Sequence, residues 1–380
     1  MMWAGVAFRD LHSMILLNDP RVAARRSAAA RIVVDLDAVA HNTRVLVARA
    51  RGELMAVVKA DGFGHGAVGV ARAAIGAGAS WLGVTGIGEA LELRAAGLGA
   101  PVVSWLNPLA ADFASAVRED IDLAVPGLSH LAVMPAGARV HLQVDTGMAR
   151  DGAAPQEWAG LCRAAREAEA AGRIVVAGVM SHLAGPDTAG ALRRFRECAD
   201  VARGAGLRPA VCHLAATAAT LTAPEAHFDL VRAGAGLVGI DPTGGNVLRG
   251  AMTLTAPVVE VRRVAAGTPV GYDHAWRATR DTTLALLPVG YADGLPRPAG
   301  PHAEVLLGGR RCRVAGRISM DQIVVEAGAG CWPGDIAVVF GPGRHGEPTV
   351  ADWAGWASTL PHEIVTGLGA RPHRHVIGGN

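Results

Sequence analysis

Residues 53–66 read ELMAVVKADGFGHG, and the fold turns on this stretch. The apolar run from Leu54 to Val58 is short and closes on glycines, the pattern of a buried strand rather than a helix. It ends at Lys59 and passes directly into a Gly-rich loop. A reactive side chain at the carboxyl end of a parallel strand stands where barrel folds place their chemistry.

The same rhythm extends outward from this stretch. RIVVDL is followed by a helix-like segment over 37–51, LMAVVK by 66–78, WLGVT by 86–97 and PVVSWL by 109–118. It continues through IDLAVP, RVHLQVD, RIVVAGVMSH, PAVCHL and the segment around Asp229–Ile240. Eight or nine apolar runs separated by helix-length segments predict an α/β fold, and in this span a closed (β/α)8 TIM-like barrel rather than an open sheet. After residue 250 the pattern changes to short β-type runs with Gly/Pro turns, such as LTAPVVEVRRV, TTLALLPVGY and DIAVVFG, with one short helix near 350–357. The expected organisation is an N-terminal leader over 1–28, a barrel over 29–250 and an all-β domain over 251–380. The opening MMWAGVAF lacks a basic start and is interrupted by Arg9 and Asp10, so it reads poorly as a secretory signal.

Composition narrows the function. The chain has 380 residues, 51% hydrophobic and 18% charged, and no apolar run long enough to cross a bilayer. Net charge is +2 and no basic block is interleaved with aromatics, which argues against nucleic acid and for a small-molecule partner. Five scattered cysteines without a C-x-x-C pair suit packed thiols in a reducing cytoplasm. There is no H-E-x-x-H, no dense His/carboxylate cluster and no G-x-S-x-G, so neither a metal site nor a nucleophilic serine is expected.

Among the 36 basic residues a single one is lysine, Lys59. In a chain that uses arginine for every other positive charge, this marks a site where a deprotonatable primary amine is required, as in imine formation with an aldehyde. Only two tyrosines remain, Tyr272 and Tyr291, which points to work for a phenol. RAGAGLVG contains G-x-G-x-x-G at Gly234, Gly236 and Gly239, but Asp241-Pro242 follows instead of a helix. Those glycines suit a backbone cradle for a single phosphate, or a tight turn packed on a strand, better than a dinucleotide fold.

The ordered strings VVKADGFGHG, VDTGMARDG, VMSHLAG, LVRAGAGLVGIDP, VGYDHAW, VGYADGLPR and GRISMDQ resemble the alanine racemase family of fold-type III pyridoxal 5′-phosphate enzymes, over roughly residues 30–375. The resemblance implies a barrel plus a C-terminal β domain, and a homodimer whose active sites are shared between subunits. It implies pyridoxal phosphate carried by Lys59, which is also the base on one face of the substrate, with Tyr272 of the neighbouring subunit as the acid/base on the other. It places Arg232, held by His213, opposite the pyridine nitrogen, and His182 beside the ring. Phe63, Thr217, Gly234, Ala235 and His362 fall at phosphate or pocket positions. Arg150 and the Met320 backbone fall at the substrate carboxylate, with Tyr291 and Asp321 at the entrance.

Several positions depart from the family pattern. Phe63 and His362 stand where tyrosines are usual, and Ala216-Thr217 replaces Asn-Ser. Gln143 stands where many members carry a carbamylated lysine, so an amide–Arg150 hydrogen bond, or an anion such as chloride, is expected to steady Arg150. The leading expectation is a cytoplasmic alanine racemase that supplies D-alanine for peptidoglycan. The open alternatives are a racemase or epimerase of another amino acid, a pyridoxal-phosphate aldolase or decarboxylase, and a non-catalytic binder of the same cofactor.

Overall fold

A computed structural model describes residues 29–183, 185, 187–245 and 247–379; the leader expected over 1–28 lies outside the described residues. The described chain divides into two compact units, one of Asp35–Arg249 and one in which residues 29–34 join Gly250–Ile377.

In the first unit, eight parallel strands form one sheet. In chain order they are β2 (Glu53–Val57), β3 (Trp81–Thr85), β4 (Val102–Trp105), β5 (Ile121–Val125), β6 (Ala138–Gln143), β7 (Ile174–Met180), β8 (Val211–His213) and β9 (Leu230–Ala233). From β2 to β8 each pairs with the next, β9 pairs with β2, and β9 is linked to the segment after β8 by Arg232 N donating to Ala215 O at 2.9 Å. This is the TIM-like barrel that the apolar runs predict. Its strands are almost wholly apolar because helices cover the outside while side chains fill the inside. Met55, Leu82, Val103, Leu123, Val140 and Leu230 are fully buried.

The connecting helices begin where the sequence supplies caps. The Asp35 carboxylate accepts from Asp37 N and Ala38 N at 2.9 and 3.1 Å to start Leu36–Arg49. Asp187 accepts from Gly190 N at 2.9 Å to start Thr188–Gly204. Helix Pro155–Ala170 is anchored by Trp158, fully buried, whose indole N–H donates to Cys198 O at 2.8 Å.

The second unit is built of β-sheets, the largest with six strands in the order Arg310–Arg313, Glu304–Leu307, Ile336–Phe340, Met252–Pro257, Arg31–Asp35, His373–Ile377. This corrects the expected start of the barrel. The run RIVVD (β1, Arg31–Asp35) pairs antiparallel with Met252–Pro257, Arg31 opposite Thr255 and Val34 opposite Met252. Its alternating burial shows why: Ile32 and Val34 face a core while Arg31, Val33 and Asp35 do not, a one-sided strand unlike the doubly buried barrel strands. No helix of the described residues is long and apolar enough to cross a membrane.

Candidate active site

Lys59 stands at the carboxyl end of β2, half-buried. Burial and then the Arg150 guanidinium push its pKa below the ordinary lysine value, while Glu89 works the other way. Glu89 also clamps the backbone here, accepting from Ala60 N and Thr85 N, each at 2.7 Å. Ala60, Asp61, Gly62 and Phe63 all adopt left-handed helical dihedrals, with φ between 53° and 61°. Three non-glycine residues in that region carry about 1–2 kcal/mol of strain each. The surroundings hold the turn: Asp61 accepts from Ala67 N at 2.9 Å and Gly62 N donates to Val58 O at 2.8 Å. The turn buries the Phe63 ring against Gly234, where a Cβ would come within 2.7 Å of Phe63 Cζ. Phe63 therefore borders the glycine turn after β9 by packing, without a hydroxyl to offer.

Arg232 on β9 is buried and is held by four of its five N–H groups. Nη1 donates to His213 Nδ1 and His213 O, both at 3.0 Å. Nη2 donates to Ser181 O at 2.7 Å, with Leu214 O at 3.2 Å and His182 Nδ1 at 3.3 Å sharing it. Nε–H alone has no partner among the described residues. Burial lowers the Arg232 pKa to about 10, still far above neutrality, so it remains a cation. Burial first, then Arg232, Arg150 and Lys59, lower His182 to about 3. His213 is lowered well below the ordinary histidine value by burial and then by Arg232 and His141.

Thr217 opens the helix Thr217–Thr222, and its hydroxyl oxygen accepts from Gly236 N at 3.2 Å, which leaves its own proton to donate. Gly234 and Ala235 begin the short 3-10 turn alongside. Arg150 is exposed, at the end of a loop shaped by Asp145, which accepts from Gly147, Met148 and Ala149 N at 2.8 Å each.

Gln143 differs from expectation. Its amide nitrogen donates to Asp151 at 3.1 Å rather than meeting Arg150. A guanidinium cannot accept a hydrogen bond, so the N–H goes to the carboxylate. Gln143 Oε1 is buried and has no partner among the described residues.

The remaining expected residues lie in the second unit. Tyr272 is 67% exposed on a turn with positive φ at Asp273 and His274, tied down by an Arg317–Asp273 ion pair at 3.2 Å. Tyr291 and Met320 are also exposed, and their segments interlock: Tyr291 N donates to Ser319 O at 3.0 Å and Ala292 N to Met320 O at 2.9 Å. Gly290 permits that approach, since a Cβ there would meet Met320 O at 2.4 Å. Arg371 joins Asp321 at 2.7 Å and Asp293 at 3.1 Å. His362 is half-buried in helix Pro361–Thr366. The structure thus collects the expected residues into two groups, one per unit. Sequence reading missed Glu89, Asp151, Asp122 and His141; the charged residue inside the apolar strand IDLAV was the visible signal for Asp122.

Lys59, Thr217, Arg232 and the Gly234 turn stand at the carboxyl ends of the parallel strands, the layout of an α/β-barrel enzyme. The comparisons narrow this. Family models described as alanine racemase, N-terminal domain and alanine racemase, C-terminal domain match residues 34–242 and 251–376. An alanine racemase from Frankia casuarinae is 48% identical over 90% of this chain and 95% of its own length. The crystal structure of alanine racemase from D-cycloserine-producing Streptomyces lavendulae is 43% identical, with a TM-score of 0.89 over 93% of this chain and 98% of that one. An alanine racemase from Bartonella henselae with covalently bound pyridoxal phosphate is 28% identical, with a TM-score of 0.82 over 92% of this chain and all of that one, 100%. The chain belongs to the alanine racemase family.

Proposed function

We propose that this protein interconverts L- and D-alanine with pyridoxal 5′-phosphate, as a cytoplasmic homodimer whose sites combine the barrel residues of one subunit with Tyr272 of the other. The observation that carries the reading is the pairing of a half-buried, pKa-lowered Lys59 with a buried Arg232 whose Nε–H is unclaimed. Pyridoxal phosphate fits this donor set. Lys59 would offer the amine, Arg232 Nε–H a cationic donor for the ring nitrogen, and the Thr217 hydroxyl with the Gly234 and Ala235 amides a seat for the phosphate. When bound, the cofactor supplies an electron sink for negative charge at the substrate Cα.

The chain's own residues then divide the work. The Lys59 amine, whose pKa burial and Arg150 lower, takes the Cα proton on one face, and the Tyr272 phenol serves the other, so the proton leaves one side and returns from the opposite one. A permanent cation at Arg232 would disfavour protonation of the nitrogen of a bound pyridine ring, and so would keep the reaction from running on to transamination. Neutral His182 beside Arg232 adds no charge. Arg150, on its Asp145-shaped loop, and the backbone at Met320 take the substrate carboxylate, while Tyr291 and Asp321 line the entrance. Phe63 in place of a tyrosine removes one phosphate hydroxyl, and His362 leaves a pocket wall that is smaller and more polar. Both favour weaker cofactor binding over a change of reaction.

Two variants test the assignment. Lys59→Ala is expected to abolish racemisation and the absorbance of lysine-bound cofactor, and Tyr272→Phe to slow one direction more than the other. Retention of the absorbance in the first, or equal small effects in the second, contradicts the two-base reading.

A further inference from the structure

The barrel interior holds a polar chain that the proposed reaction does not use. Arg232 Nη1 lies 3.0 Å from His213 Nδ1, His213 Nε2 lies 2.9 Å from His141 Nδ1, and His141 Nε2 lies 3.1 Å from Asp122 Oδ2. Asp122 Oδ1 accepts from Arg139 Nε at 2.9 Å, and Arg139, about half exposed, ends the chain at the surface. The members come from β9, β8, β6 and β5, and His141 and His213 are completely buried.

Donor counting assigns each proton. An arginine has no acceptor, so His213 Nδ1 must accept from Arg232. His213 then carries its proton on Nε2 and gives it to His141 Nδ1, and His141 carries its own on Nε2 and gives it to Asp122. Both rings are neutral and every link runs one way, from guanidinium to carboxylate. The Asp122 carboxyl is held in its charged form: burial raises its pKa, but the His141 contacts and then Arg139 bring the balance below the usual carboxylate value. No described carboxylate pairs with Arg232 directly, so the chain leads from that buried cation to a buried anion.

The backbone makes room for the chain. A Cβ at Gly178 on β7 would lie 2.3 Å from His141 Nδ1, and the β6–β7 ladder shifts register between Val140 and His141. The ring occupies the space a side chain at position 178 would need.

We propose that Asp122 and His141 are positioning residues for the cofactor ring: their hydrogen-bond chain fixes the His213 tautomer, so that Arg232 keeps one pose with Nε–H available to the ring. The inference rests on the function proposed above. Both reach Arg232 only through His213. Each acts through His213, as a carboxylate elsewhere selects the tautomer of a catalytic imidazole.

The chain's direction gives a test that a merely structural role would fail. In Asp122→Asn, Arg139 still demands an oxygen, so the amide NH2 turns to His141 Nε2. That reverses both imidazoles and sets His213 Nδ1–H against the Arg232 donors. The variant is expected to bind pyridoxal phosphate roughly tenfold or more weakly and to show a shifted cofactor absorbance. In Asp122→Asn with Arg139→Ala the amide is free to turn its oxygen to His141, and binding and absorbance should return most of the way to those of the unaltered protein. A double variant no better than the single one, or a single one that binds like the unaltered protein, overturns the proposal. A second measurement does not depend on variants that fold. Nitrogen-15 NMR of the cofactor-free full chain should show Nδ1 of both His213 and His141 without a proton, and a protonated Nδ1 on either ring overturns the proposal. If the unaltered protein does not take up pyridoxal phosphate, the proposed function fails, and the nitrogen pattern read without cofactor still decides the relay.

Discussion

Lysine and arginine differ in one property that matters here: only lysine can give up its proton at an accessible pH. One lysine among 36 basic residues made Lys59 readable without any structure, and its half-buried place at the end of β2 explains why arginine would not serve. The histidines were less readable. Fourteen are present, and nothing in their spacing separates buried His141 and His213 or half-buried His182 from solvated ones, because strands distant in sequence set their surroundings. Their burial has a pH consequence. His182 is lowered to about 3 and His213 also falls well below the usual range, so both stay neutral in the fold while the unfolded chain protonates them below about 6.5. The unfolded state then binds more protons, so their contribution to stability is complete above that range and declines as pH falls toward 3. The His182 ring resonances are expected to stay fixed from about pH 8 to about pH 5; a titration through the ordinary histidine range contradicts the burial described for it.

Strand periodicity was legible element by element, since continuous apolar runs signal strands covered on both faces. Register was not. The shift between β6 and β7 at Val140/His141 depends on a ring on one strand and a missing side chain on the other, a pairing no single run displays. Gly178 has an ordinary backbone conformation, so its role is space and not φ. Gly178→Ala is therefore expected to displace His141 and lower the melting temperature by several degrees, about the effect of 1–3 kcal/mol of overpacking. The same substitution at Gly160, where a Cβ meets nothing within 4 Å, should be neutral or stabilising. Equal effects at the two positions contradict the packing described. The left-handed turn after Lys59 was equally hidden, because Ala60, Asp61 and Phe63 do not favour such dihedrals and adopt them only under the Glu89 and Asp61 hydrogen bonds.

At the scale of the whole molecule, the change of rhythm near residue 250 revealed two units, yet the first strand was assigned to the wrong one. RIVVD precedes the barrel helices and resembles their strands in composition; only its one-sided burial and its antiparallel partner at Met252–Pro257 show that it belongs to the β unit. It lies inside the six-stranded sheet, between Met252–Pro257 and His373–Ile377, so its loss would bare two strand edges and unseat Ile32 and Val34. A separately expressed chain of 250–380 is accordingly expected to show no cooperative melting, and one with residues 29–35 joined to it by a flexible linker to regain it. Cooperative melting of the shorter chain alone would contradict the assignment.

The central claim is that a proton leaves the alanine Cα to Lys59 on one face and is replaced from the other. Incubation of the protein with pyridoxal phosphate in D2O, starting from either L- or D-alanine, measures this directly by mass and chirality. The account predicts deuterium at Cα in both enantiomers together with their interconversion, and neither in Lys59→Ala. Exchange without inversion, or unchanged exchange in Lys59→Ala, would contradict it.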